Sequence, residues 1–165
     1  MKVIRPIVID TAKVVSSSAT EEYEVWDSGK TFAKGDRVVF SETIYESLID
    51  ANVGKQPDTH PNDWLAAGAS NKMSMFDLQV NTQTKAQETL TVKFAPGKPF
   101  DAVAFLNLIG KHANLTVRDG VGGQVVYAAD TDLDNNSFKV INWYTYFYED
   151  FDFRSEVIFQ NIPPY

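Results

Sequence analysis

The chain contains no cysteine, which excludes disulfides, zinc–thiolate sites and cysteine nucleophiles together. It fits assembly in a reducing compartment. Histidine is nearly absent too. His60 sits in the turn Pro57-Asp58-Thr59-His60-Pro61 and His112 follows Gly110-Lys111. Neither adjoins a serine in a nucleophile setting, and no His-x-x-x-His pair exists, so triad and zinc-hydrolase chemistry lack their residues. Basic groups are outnumbered, 15 against 22 acidic ones, giving a net charge of −7. A surface of that sign repels phosphates, so nucleic acid is not an expected partner. Long apolar runs are missing as well. The opening MKVIRPIVIDTAKVV is broken by Lys2, Arg5 and Asp10 and reads as neither a secretory signal nor a membrane span. The glycine cluster Gly120-Val121-Gly122-Gly123 is not followed by a helical pattern, which rules against a phosphate loop.

What is present points to β-structure. The 165 residues are 44% apolar and 13% aromatic, enough for one ordinary domain or two small ones. Residues 1–22 read as an arm, with Val3, Ile4, Ile7 and Val8 forming a short strand and Ser16-Ser17-Ser18 a loop. Residues 23–68 read as a small unit with turns at Ser28-Gly29, Lys34-Gly35-Asp36 and Asn52-Val53-Gly54. Between the turns lie Arg37-Val38-Val39-Phe40 and the alternating Thr43-Ile44-Tyr45-Glu46-Ser47-Leu48. So few residues bury little surface, and Trp26, Phe32, Phe40, Tyr45 and Trp64 are the expected core. Residues 69–165 carry longer strand patterns, at 76–81, 88–94, 102–108, 114–118, 124–128 and 138–141. The run Leu115-Thr116-Val117-Arg118 to Gln124-Val125-Val126-Tyr127, joined through Asp119-Gly120, predicts a β-hairpin. Strands at this spacing without a helix predict an all-β chain ending in a sandwich or jelly roll. No internal repeat is visible.

Charge is segregated along these segments. Residues 23–68 hold four basic and eight acidic groups, 71–127 six and four, and 128–165 two and seven. Asp130-Thr131-Asp132-Leu133-Asp134 alternates carboxylates as calcium loops do, but the EF-hand glycine position is Asn135 and the twelfth is Ile141. A polar turn is the simpler expectation, with Asp130, Asp132 and Asp134 as the weak metal candidates. Glu149, Asp150 and Asp152 lie among aromatics, where a charged edge explains them better than paired catalytic carboxylates. The densest feature is the stretch from Trp143 to Arg154, with seven aromatics in twelve positions. Too many are adjacent for all to face one core. Trp143, Tyr144, Tyr146, Tyr148, Phe151 and Phe153 are therefore the expected interface residues.

Two resemblances give these segments a family context. Tyr23-Glu24-Val25-Trp26-Asp27, Thr31-Phe32-Ala33-Lys34-Gly35-Asp36-Arg37-Val38-Val39-Phe40, Ile44-Tyr45-Glu46-Ser47, Pro57 and Trp64 resemble the small chitin-binding modules of bacterial chitinases. That resemblance implies that Trp26 and the aromatic before Ala-x-Gly-Asp belong to the fold. It makes Trp26, Tyr45 and Trp64 the carbohydrate-binding candidates. The exposed aromatic pair those modules present after the Tyr-x-Ala segment is replaced here by residues 47–55, which contain no aromatic. The second resemblance is carried by Ser16-Ser17-Ser18, Glu21-Glu22, Pro61-Asn62-Asp63-Trp64, Gly68, Asn71, Met75-Phe76-Asp77, Asp152-Phe153-Arg154 and Ile162-Pro163-Pro164-Tyr165. These look like phage tail proteins in which such a module runs into a galactose-binding-like sandwich. In those relatives the chain continues past the Pro-Pro-Tyr segment, which implies a sandwich completed by another copy or partner.

The expectation is thus an arm (1–22), a chitin-binding-like β module (23–68) and a jelly-roll or galactose-binding-like sandwich (69–165). The expected role is a non-enzymatic structural component of a phage tail or baseplate, assembled in the host bacterial cytoplasm. Its partners would be other virion proteins and copies of itself, with no cofactor and no membrane insertion. The alternative is a carbohydrate-binding module contacting host surface glycans.

Overall fold

Short alternating segments, each stopped by a turn, form eleven strands among the described residues of a computed structural model; those residues are 5–79, 81–133, 143–144 and 154–163. Among those residues all pairings between strands are antiparallel, and no helix reaches seven residues. The all-β class expected from composition is the class found. The chain divides into two compact units. One is Val8–Pro96, and the other is Gly97–Tyr165 together with Met1–Ile7.

Within Val8–Pro96, a three-stranded sheet runs in the order β3 (Arg37–Phe40), β4 (Thr43–Ser47), β6 (Trp64–Ala69). Strands β3 and β4 are joined by only Ser41 and Glu42, both with positive φ, 48° and 62°. A two-residue hairpin needs that mirror-image turn, because it matches the twist of the strands. Residues with a Cβ adopt it against a steric cost of roughly 1–2 kcal/mol each. Alternation on β4 turns Ser47 inward and packs Tyr45 against the core, leaving Ile44 and Glu46 on the other face. Strands β2 (Thr31–Phe32) and β5 (Asn52–Val53) pair separately. The core is Phe32, Val38 and Trp64, with Trp26 and Tyr45 packed on it. Four of these five are aromatic, as a unit too small for an aliphatic core requires.

The arm forms its strand later than the sequence implies. Residues 5–10 carry no regular structure. Asp10 then caps a 3-10 turn at Thr11–Lys13, and β1 is Val14–Ser17, through the serines expected to be a loop. It pairs with β7 (Val92–Phe94), and the ladder is extended by Ser18 N–H to Thr91 O (3.0 Å) and Ala95 N–H to Lys13 O (2.7 Å). An arm with no core of its own is satisfied by a distant strand. No strand forms at the described residues 76–79 and 81, where one is expected. Ser74–Phe76 is a 3-10 turn, Leu78 has φ 60°, and Asp77 Oδ1 accepts from Gln79 N–H (2.8 Å). A short carboxylate side chain bonding two residues ahead offers the backbone a turn in place of a ladder.

Among its described residues the second unit contains two pairs of strands. The predicted hairpin forms β9 (His112–Arg118) and β10 (Val125–Asp132). Its turn depends on Gly123, where a Cβ would lie 1.6 Å from Asp119 O. Strand β8 (Ala102–Phe105) pairs with β11 (Val157–Gln160), and Leu108 N–H to Ser155 O (2.9 Å) and Ile162 N–H to Asp101 O (3.0 Å) lengthen that ladder. Leu133, Val157, Phe159 and Ile162 are buried. Val103 and Phe105 of β8, Leu115 and Val117 of β9, and Tyr127 and Ala129 of β10 pack on them. One face of each pair thus feeds a shared core, as in a sandwich. The strand expected at 138–141 lies outside the described residues.

Candidate functional site

The module's aromatics are committed to packing. Trp64 is 2% exposed, its ring lies edge-to-face on Phe32 at 5.5 Å, and its indole N–H donates to Lys55 O at 2.9 Å. Neither face of that ring is offered to a sugar. Trp26 is half-buried, edge-on to Phe40 at 5.5 Å, and Tyr45 is half-buried beside the same core. Beneath them sits a polar buttress. Asn52 is fully buried and donates to Ser47 Oγ (3.0 Å) and Asp63 O (3.3 Å), while Lys55 Nζ meets Asp63 Oδ1 at 2.9 Å. Buried amides of this kind fix the loops that carry them. The stretch 47–55 is occupied by that structural network.

A second polar centre lies where the arm, the β4–β6 sheet and the segment after it converge. Asn71 is 7% exposed. Its Nδ2 donates to Thr20 O (2.7 Å) and Lys85 O (2.9 Å), and its Oδ1 accepts from Lys85 N–H (2.8 Å). Its backbone N–H and the Ser70 hydroxyl both donate to Glu21, at 3.0 and 3.1 Å. Ser70 also reaches Glu42 Oε2 at 3.2 Å. Three segments distant in sequence are joined by one buried dipeptide. Beside it opens a groove of about 250 Å³, floored by Ile44 and Ala69 and walled by Glu22, Asn71, Ser74, Asn81, Thr82 and Lys85 among others. Amides, hydroxyls, one carboxylate and one ammonium can hydrogen-bond a polar group there. Among the described residues no aromatic lines the groove, so they offer no surface on which a sugar ring would stack.

The remaining sequence candidates are scattered. Asp130 and Asp132 lie on β10, not in a loop. Asp132 is paired in register with His112, and its Oδ1 is 2.9 Å from His112 Nδ1, with Asp130 Oδ2 3.9 Å from Nε2. Alternation along a strand puts both carboxylates on one face, and a strand cannot wrap them around a cation as a loop would. Asp134 lies outside the described residues. Among the described residues no group of three or more His, Cys, Asp or Glu side chains could hold a metal. His60 Nδ1 is held within its turn by Thr59 Oγ1 (3.0 Å) and Gln56 O (3.1 Å). Trp143 and Tyr144 are 79% and 71% exposed; Tyr146, Tyr148, Phe151 and Phe153 lie outside the described residues.

Glu21-Glu22 and Asn71 are motif positions in the sequence, but nothing local places them together. Glu42 carries no motif, and no local pattern marks a turn residue as the acceptor for a serine 28 positions away. No protein-family model, curated protein or solved structure matches the chain.

Proposed function

We propose that this chain is a non-catalytic structural component of a phage tail or baseplate, acting through surfaces that bind copies of itself and neighbouring virion proteins. One observation carries the reading. The aromatic residues of the chitin-binding-like module are used for its core, with Trp64 buried and its N–H bonded, while large apolar groups elsewhere face outward. Trp143, Tyr144, Ile109 (87% exposed) and Val121 (78%) are among them. Of these, Trp143 and Tyr144 are adjacent in sequence, and a pair of exposed aromatics favours contact with another protein. The resemblance of the module and of the junction around Pro61-Asn62-Asp63-Trp64 to phage tail proteins supplies the particle. Assembly in the host bacterial cytoplasm follows from it and is compatible with a chain lacking cysteine.

A glycan-binding role is the second reading, favoured by the exposure of the adjacent Trp143 and Tyr144. Glycan-array and chitin pull-down binding by the purified chain, repeated with Trp143→Ala and Tyr45→Ala, separates the two. The structural role predicts no saturable sugar binding, together with immunogold labelling of purified phage particles at the tail. Sugar binding abolished by Trp143→Ala, with particles unlabelled, would refute it.

A further inference from the structure

The tip of the β9–β10 hairpin places a free carboxylate beside a free amide. Asp119 follows the last residue of β9, and both it and Gly120 are exposed. The backbone closes the tip: Asp119 N–H donates to Gln124 O (3.0 Å) and Gly123 N–H to Gly120 O (3.2 Å). Arg118 is the neighbouring cation, yet its Nη1 donates to Gly123 O at 3.1 Å. Among the described residues no hydrogen bond or ion pair engages the Asp119 carboxylate, and no acceptor takes the Gly120 N–H. Gly120 has φ 73°, and a Cβ built on it would meet nothing within 4 Å. The nitrogen next to the carboxylate is therefore flanked by open space and carries no side chain to shield it.

We infer that Asp119 is a site of spontaneous covalent modification, at which Asp119-Gly120 isomerises through a cyclic imide to isoaspartate. The Gly120 nitrogen bonds to Asp119 Cγ, while the carboxyl OH and the amide hydrogen leave together as water. A second water then opens the five-membered ring. Addition at Cγ restores aspartate. Addition at the backbone carbonyl carbon breaks its bond to Gly120 N and leaves that nitrogen attached to Cγ, so the main chain now runs through the side-chain methylene. Mass and net charge are unchanged, and the only co-reactant is water. The reaction stands apart from the assembly role, because it needs nothing but this chain. Two other aspartates show why the place is selective. Asp27 precedes the small Ser28, but its Oδ1 accepts from Gly29 N–H at 2.7 Å, which holds the carboxylate in its own turn. Asp101 is exposed and its carboxylate is equally free of partners. The residue after it, however, is Ala102, which carries a Cβ and is fixed in β8 opposite Gln160. Asp-Gly occurs once in the chain and Asn-Gly not at all. The product lengthens the main chain between Asp119 N–H and Gly120 O, the two groups that close the tip, so the modified hairpin loses its turn register.

The test is to age the folded full chain at neutral pH and physiological temperature, with far-UV circular dichroism confirming the fold. Isoaspartate is counted as methyl groups transferred from S-adenosylmethionine by a protein isoaspartyl methyltransferase, and electron-transfer fragmentation of proteolytic peptides locates it. The expected result is isoaspartate that accumulates at Asp119 ahead of Asp27 and Asp101, at constant mass. Asp119→Glu, which would have to close a six-membered ring, loses the signal. Asp119→Asn expels ammonia in place of water, so each turnover appears as a gain in mass, and it reacts faster than the wild type. Because the wild type is read directly, the result does not depend on how well a variant folds. A folded wild type in which Asp119 stays unmodified, whether or not the urea-unfolded chain reacts there, would overturn the proposal. So would isoaspartate that forms first at Asp27 or Asp101, or methyl acceptance that Asp119→Glu leaves unchanged.

Discussion

Replacing Asn71 with alanine measures how firmly the arm is fastened to the rest of its unit. The side chain makes three hydrogen bonds of 2.7–2.9 Å, two to Lys85 and one to Thr20 O, in a site 7% exposed. A typical buried hydrogen bond is worth about 1 kcal/mol net, and each partner left unsatisfied costs about 1–3 kcal/mol. Water can reach some of the vacated positions because the groove adjoins them. The expected loss is about 2–4 kcal/mol in the stability of the Val8–Pro96 unit. Asn71→Asp should cost at least as much at neutral pH. Its carboxylate would face two carbonyl oxygens, with Glu21 bonded to the same residue's backbone N–H, and has no proton to give them. Urea unfolding followed by tryptophan fluorescence gives the free energy, since Trp26 and Trp64 lie in this unit. Native-state hydrogen exchange at the Lys85 amide, which donates to Asn71 Oδ1, reports the local opening. An Asn71→Ala chain within about 0.5 kcal/mol of wild type, with Lys85 exchange unchanged, would show that the convergence of these segments is held by something other than this amide.

Three further outcomes follow from the geometry. Trp64→Ala removes a buried ring that packs on Phe32 and should cost about 3–5 kcal/mol, whereas Trp64→Phe, which loses chiefly the bond to Lys55 O, should cost less; chemical denaturation of both variants checks the order. Ser41→Gly relieves a residue held at φ 48° and should stabilise the β3–β4 hairpin by up to about 1 kcal/mol, read as a higher urea midpoint at an unchanged slope. Asp10 is held below its ordinary value of 3.8, chiefly by its side-chain hydrogen bond with Lys13. A depressed carboxylate stabilises the folded form above its unfolded pKa and loses that effect as the pH falls through the folded one, so the 3-10 turn at Thr11–Lys13 should loosen only in acid below 3.8. The Lys13 amide shift in an NMR titration follows it, and a midpoint at or above the ordinary value would contradict the cap.

Local chemistry made much of this protein legible in its sequence. Alternation of side chains sets the faces of β4 and β9, because period two is intrinsic to an extended chain. Asp119-Gly120 between two β-branched runs is enough to specify the hairpin. The composition of residues 23–68 requires an aromatic core, and Phe32 and Trp64 supply it. What depended on distant partners was not legible. Ser16 and Ser17 look like loop residues locally and become strand because Val92 and Lys93 complete their ladder. Residues 76–81 have the composition of a strand, but Asp77 bonds its own turn, and a side-chain acceptor two residues away outcompetes a ladder that would have to close over a longer loop. Asn71 was a motif letter in the sequence, and only the tertiary structure made it a joint, by bringing Thr20, Glu21 and Lys85 to it across 14 to 51 positions. The sequence by itself determined the class of structure and the local faces, which depend on neighbours along the chain. Which aromatics are spent on a core and which carboxylates meet a buried serine depend on loop closure, and the folded chain alone decided them.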